Sequence, residues 1–349
     1  MLIAGMLINR ATFLGALSLL IPSNIIPLDP DSTSIASSPT TATSAAATNT
    51  ADPDSYSSFA NYVRSQVTQK VQEDPSIAGP LIRLAFHDAA TLEYGPQANL
   101  VTGGPNGSIQ YEVERSENRG IGRPLQLVQS IVYSENNPIS FSTTTSAVSS
   151  LADAIAISGA AAVEAVGGPH IAVRMGRTDA NQADPQYLRV PRRKSTPRSL
   201  VETTLPSAGL DADGLRLSFH RLGLSELEFV SLSGSHGLGR HVSLLGMDKA
   251  CLRNLTRTCL EEAPVLLPFV TSSVDTFDNS YFQALLRWDR NEVKLGQVAF
   301  LPTDVAMVVD RGLRKHIERL AQDQDLYVTT FGRAYQKLVD SRATTSKRY

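Results

Sequence analysis

Arg83, Phe86 and His87 stand at i, i+3 and i+4 in a segment that is otherwise apolar (Leu81, Ile82, Leu84, Ala85), so on a helix they share a face. A guanidinium and an imidazole in such surroundings cost free energy unless they line a cavity or meet polar partners. Together they would make a proton acceptor beside a fixed cation; capture of each by a loop carbonyl is the plainer alternative. His236 lies within Val230-Ser231-Leu232-Ser233-Gly234-Ser235-His236-Gly237-Leu238-Gly239. Small residues on both sides would let a flat, bulky group come close to the chain, which makes His236 a candidate axial ligand. A helix-end histidine beside a C-cap glycine is the other reading. His170, His220, His241 and His316 have charged or loop neighbours and read as surface residues. There is no H-E-x-x-H, P-loop or G-x-S-x-G pattern. Gly103-Gly104-Pro105-Asn106-Gly107 lacks the lysine of a phosphate loop and follows no strand signal.

The elements that must carry these residues are helical. Tyr56, Phe59, Val63, Val67 and Val71 recur at three- and four-residue spacing. Leu81–Thr91, Leu125–Val132 and Ser150–Val166 repeat the pattern, the last apolar nearly all round and therefore expected to be buried. Ser225 followed by Glu228 marks a capping box, and further helices are expected near Asn279–Trp288 and Ile317–Val339. Only Ile171–Val173 and Tyr327–Thr329 read as strands, and both are short. The expected class is mostly α, with long connections about Gly95–Gly107, Asp179–Leu205 and Arg240–Thr276.

The chain of 349 residues is 42% hydrophobic, enough for a sizeable core, and its net charge of −2 gives no reason to expect nucleic acid as a partner. Two cysteines, Cys251 and Cys259, cannot build a disulfide scaffold; they are either a local pair or two free thiols. No apolar run reaches the roughly 18 residues of a membrane span, so the mature protein is expected to be soluble. Residues 1–52 differ in kind. Ala11–Ile21 is a largely apolar run of 11 residues, and 16 of the 19 residues from Ser32 to Thr50 are Ser, Thr or Ala. That composition suits a targeting or disordered segment and leaves the fold to residues 53–342.

Taken in order, Arg83-Leu84-Ala85-Phe86-His87, Gly103–Ile109 and Leu232-Ser233-Gly234-Ser235-His236 resemble the plant, fungal and bacterial haem peroxidase superfamily. Ala152-Asp153, Gly167-Gly168-Pro169, Gly176-Arg177-Thr178-Asp179, Phe277–Phe282 and Leu301-Pro302-Thr303-Asp304 are similar to its intracellular class, which holds the ascorbate and cytochrome c peroxidases. The chain resembles in particular the plastid ascorbate-peroxidase-related proteins. The resemblance implies a two-lobed fold with haem b between a distal lobe (about 53–180) and a proximal lobe (about 181–310), the C-terminal helix returning. It implies a peroxidase that reduces hydrogen peroxide to water with a small organic donor through a ferryl intermediate, or else a haem-free, inactive relative of the thylakoid compartment. The implied location is the chloroplast, stroma or lumen, with secretion as the alternative. On this resemblance His87 matches the distal base, Arg83 the distal arginine, Asn118 the residue that orients the distal histidine, and Phe86 the distal aromatic against the cofactor. His236 matches the iron ligand and Asp304 its carboxylate partner.

The departures concern the donor and the proximal side. Phe86 replaces the tryptophan usual in the intracellular class, and Phe269 or Val270 falls where its proximal tryptophan would be; the chain's only tryptophan is Trp288. Gly237 replaces a threonine that helps hold a proximal cation. Leu245 and Pro75 stand where ascorbate peroxidases carry cationic contacts to ascorbate, so a different reductant is expected. Asp88 matches a calcium ligand of secreted peroxidases and reads here as structural.

Overall fold

The computed structural model describes residues 53–94, 101–139, 148–186, 203–207, 209–242, 266–270, 274–288 and 300–349. Residues 1–52, read above as a targeting or disordered segment, and Leu245, Cys251 and Cys259 lie outside the described residues.

Ten helices carry the described fold: α1 (Pro53–Glu73), α2 (Ala78–Ala89), α3 (Gly122–Val132), α4 (Leu151–Ala165), α5 (Ala212–Arg221), α6 (Glu226–Ser233), α7 (Ser280–Leu286), α8 (Pro302–Val309), α9 (Arg311–Gln322) and α10 (Gln324–Val339). Strand is confined to two antiparallel pairs among the described residues, β1 (Glu93–Tyr94) with β2 (Val101–Thr102) and β3 (Arg240–Val242) with β4 (Leu266–Pro268). The chain is mostly α, as its periodicity predicts.

The core is built around α4, where every residue from Leu151 to Val163 is buried. The Ser150 hydroxyl caps its start by accepting from Asp153 N at 3.1 Å. Helices α1, α2 and α3 pack on α4, and α1 contributes the buried stripe Phe59, Val63, Val67 and Val71. The capping box at α6 is formed, with Ser225 N donating to Glu228 Oε2 at 2.7 Å. Helix α10 packs on both α2, which carries His87, and α6, which leads into the turn carrying His236. No described helix is long and apolar enough to cross a membrane.

Three expectations change. The single helix expected over 317–339 is two, because Asp323 is extended (φ −127°, ψ 99°) and its carboxylate accepts from Leu326 N at 2.9 Å, capping α10. Tyr327–Thr329 is not a strand. Tyr327, Phe331 and Tyr335 are buried at four-residue spacing, and this helical burial overrides the local β-propensity of Tyr, Val and Thr. Ile171–Val173 forms no strand either; its one extended partner is Tyr349, which exchanges both backbone bonds with Val173 (3.0 and 2.8 Å).

Candidate active site

Helix α2 begins against the turn that carries His236. A Cβ at Gly79 would overlap the Leu238 carbonyl and stand 3.2 Å from the Gly239 Cα, so the close crossing needs glycine. Arg83 and His87 follow at four-residue steps, about 6 and 12 Å along the axis from that crossing.

Both side chains grip the same short 3-10 turn, Ser116–Asn118. Arg83 Nη1 donates to the Arg119 carbonyl (2.8 Å) and Nη2 to the Glu117 carbonyl (2.9 Å). Loop carbonyls therefore do hold Arg83, yet two bonds leave three of its five N–H groups unspent. His87 lies 2.7 Å from Asn118, Nδ1 to Oδ1. The Asn118 amide is fixed in turn, its Nδ2 donating to the Glu112 carbonyl at 3.0 Å. An amide oxygen only accepts, so His87 must carry its proton on Nδ1, leaving the Nε2 lone pair free. Burial, then the charge of Arg83, push the His87 pKa down to about 3 against a smaller upward pull from Asn118, so the ring is a neutral base. Arg83 is lowered to about 10 by burial and by Arg119, and stays charged at neutral pH. Phe86 packs edge-on to His87 (centroids 5.9 Å) and against Phe219 (6.1 Å).

His236 sits in a 3-10 turn, Gly234–Leu238, that continues α6. Its Nδ1 donates to Asp304 Oδ1 at 2.9 Å. Asp304 is fully buried and His236 one-third exposed, so the ring is held at Nδ1 while part of the side chain stays accessible. Asp304 reaches this place because Pro302 starts α8 and Leu301 N donates to Asp304 Oδ2 at 2.9 Å. Tyr281 on α7 donates its hydroxyl to the same Oδ1 at 2.7 Å. Phe269 stacks on the His236 ring, with centroids 5.1 Å and planes 18° apart.

The glycines around His236 are not an open clearing. A Cβ at Gly234 would stand 2.7 Å from the Tyr327 ring and one at Gly237 3.3 Å from Tyr281 Cβ. They admit the protein's own aromatic residues, and the accessible third of the His236 side chain is what remains for a ligand. Asp88 accepts from Gly107 N (3.0 Å) and Ile109 N (3.4 Å), which ties α2 to the loop after β2. Pro75 lies in a 3-10 turn capped by Asp74, whose carboxylate accepts from Ser76 N at 3.1 Å and stands 3.7 Å from Arg123.

The structure thus forms two separate pairs, His87 with Asn118 and His236 with Asp304, and places Arg83 on the first. Tyr281 has no role in the sequence reading. Its only signal there is its place in the Phe277–Phe282 segment, because its partner Asp304 lies 23 positions away.

Residues 63–323 match the peroxidase family, a span containing Arg83, Phe86, His87, Asn118, His236 and Asp304. The chain is 33% identical over 270 residues to "Putative L-ascorbate peroxidase 6" of Arabidopsis thaliana, covering 76% of this chain and 64% of that relative. It thus spans under two thirds of that protein's length. It is 30% identical over 294 residues to "Putative heme-binding peroxidase" of Mycosarcoma maydis (78% of this chain, 76% of that one). To "L-ascorbate peroxidase T, chloroplastic" of Arabidopsis thaliana it is 32% identical over 265 residues (74% and 54%).

Proposed function

Because this chain belongs to the peroxidase family, we propose that it is a haem-dependent peroxidase that reduces hydrogen peroxide with a small organic donor. The observation that carries the proposal is the shared state of two histidines. Each donates Nδ1–H to a fixed oxygen and has no partner on Nε2 among the described residues, but one faces an amide and the other a carboxylate.

That difference assigns the roles. A histidine backed by a buried carboxylate gains ligand basicity, so the partly exposed His236 would hold the haem iron through Nε2. Haem b, when bound, supplies the redox-active iron at which the peroxide O–O bond is cleaved. His87, backed by a neutral amide and with its pKa pushed down to about 3, is the proton carrier. Its Nε2 would take the proton from one peroxide oxygen and return it to the other, which would leave as water. Arg83 offers its unspent N–H groups to the charge that builds on the leaving oxygen. Asn118 keeps His87 in the required tautomer, and Phe86 walls the distal side. The two halves correspond to a distal lobe about 53–180 and a proximal lobe about 181–310, joined by the returning α10.

Ascorbate is disfavoured as that donor, on the strength of Pro75 and Leu245. The chloroplastic relatives at about 30% identity and the hydroxyl-rich residues 32–50 support a plastid location. The deciding test is the absorption spectrum of the purified chain after haem addition. A Soret band that His236→Ala abolishes supports the proposal. An unchanged free-haem spectrum would move the chain to a haem-free binding role.

A further inference from the structure

Asp304 is the best-isolated carboxylate of the site. It is fully buried, and among the described residues no lysine or arginine pairs with it. Its charge is shared by three hydrogen bonds: Leu301 N on Oδ2 (2.9 Å), and His236 Nδ1 (2.9 Å) and the Tyr281 hydroxyl (2.7 Å) together on Oδ1. Two donors on one oxygen compete, because electron density given to the phenol is withheld from the imidazole N–H. The Tyr281 ring is itself fixed. It is fully buried, packed edge-on to His236 (5.8 Å) and to Phe282 (5.1 Å), and its Cβ faces Gly237. The phenol therefore cannot turn away without disturbing the His236 turn. Phe269, in the stacked position beside His236, has no N–H or O–H to take this place.

We infer that Tyr281 is a positioning residue that sets how strongly Asp304 draws the Nδ1 proton of His236. In doing so it limits the imidazolate character of that ring and with it the electron donation to a bound iron. The inference rests on the haem reading above for its consequence at iron, but the shared carboxylate belongs to the chain alone.

Tyr281→Phe removes one oxygen and leaves the ring. Asp304 then gives its Oδ1 wholly to His236, and the ring becomes a stronger donor. In the haem-loaded protein the ferric form should gain by roughly tenfold, a fall in midpoint potential of about 59 mV for a one-electron couple. The iron–histidine stretching frequency should rise. Tyr327→Phe is the control, since that hydroxyl is equally buried in the neighbouring aromatic cluster but has no hydrogen-bond partner among the described residues. It should move neither reading. 3-Fluorotyrosine placed at position 281, a stronger donor in the same space, should shift both readings the opposite way, and it tests the idea even where Tyr281→Phe folds poorly. A normal Soret band with an unmoved potential and frequency in both position-281 variants overturns the inference and leaves the haem reading standing. The same shift in Tyr327→Phe also overturns it. If the wild-type chain takes up no haem, the haem reading fails alone. The Nδ1 proton resonance of His236 in the full-length labelled chain then decides: a downfield move in Tyr281→Phe supports the sharing, and no move rejects it.

Discussion

Phe269 lies flat on His236, ring centroids 5.1 Å apart and planes 18° from parallel. The sequence left Phe269 and Val270 as alternatives for this place. The structure puts the phenyl ring on the imidazole and turns Val270 toward Gly237, 3.6 Å from where a Cβ there would stand. Intracellular relatives by resemblance carry an oxidisable indole in the stacked position. A phenyl ring is much harder to oxidise, so the wild-type protein treated with peroxide should show no tryptophan-radical signal by electron paramagnetic resonance. Phe269→Trp should introduce one. A tryptophan radical in the wild type would have to sit on Trp288, the only tryptophan in the chain, and would remove the meaning given to the stack.

His87 and Asn118 are expected to act as base and orienter. Removing the base in His87→Leu should slow the reaction of the haem-loaded protein with peroxide by about 10²–10⁴-fold, the range usual for general acid–base catalysis. Asn118→Leu keeps the imidazole but frees its tautomer, so the loss should be smaller and should leave the haem spectrum in place. Arg83→Leu should fall between them, since water can stabilise part of the charge. Stopped-flow spectra after peroxide mixing give all three rates. Wild-type rates in His87→Leu would defeat the assignment.

Local chemistry made much of this legible. The one-face spacing of Arg83, Phe86 and His87, the Ser225–Glu228 box and the all-round apolar α4 each carry their signal within a few residues. What stayed hidden depends on distant residues. Asp304 Oδ1 is shared between residues 68 and 23 positions away, and no local pattern foretells that a tyrosine will compete with a histidine there. The glycines of the His236 turn misled for the same reason: smallness permits close approach, but only packing says whether a cofactor or Tyr327 makes it. Tyr327–Thr329 failed because burial of every fourth residue outweighed strand propensity over three residues.

The donor prediction turns on charge. The 3-10 turn holding Pro75 presents the Asp74 carboxylate, and the nearby Arg240 is already spent on a two-fold contact with Asp275 (3.0 and 2.8 Å). Positions 75 and 245 themselves offer an anionic donor no cation, and the exposed Arg123 beside this turn already faces the Asp74 carboxylate at 3.7 Å, so charge-assisted hydrogen bonds from those two positions are missing. In steady-state assays of the haem-loaded protein, kcat/KM for ascorbate should fall below that for guaiacol. The double change Pro75→Lys, Leu245→Arg should narrow the gap by raising the ascorbate value alone. Efficient, saturable ascorbate turnover by the wild type would refute this.

Acid should weaken the chain through His87. Burial, with Arg83 adding to it, holds the folded pKa near 3, whereas an unfolded histidine titrates near 6.5. Between those values the unfolded chain binds a proton that the native chain refuses. The contribution of His87 to stability is therefore complete above about pH 6.5 and is lost as pH falls toward 3, with a slope of up to about 1.36 kcal/mol per unit. Asp88 runs the other way. Burial raises it to about 7, so the native chain holds a proton that the unfolded chain releases above about pH 4, and its contribution declines as pH rises toward 7. The two slopes oppose each other in the wild type, so the raw curve is not diagnostic. His87→Gln removes only the first. In urea titrations of the haem-free chain at pH 4.5, 5.5, 6.5 and 7.5, wild-type stability minus that of His87→Gln should be level at the top of the range. It should then shrink steadily below about pH 6.5, since only the wild type must refuse the proton. A difference that stays constant down to pH 4.5 would mean that His87 takes up a proton in the folded chain as readily as in the unfolded one.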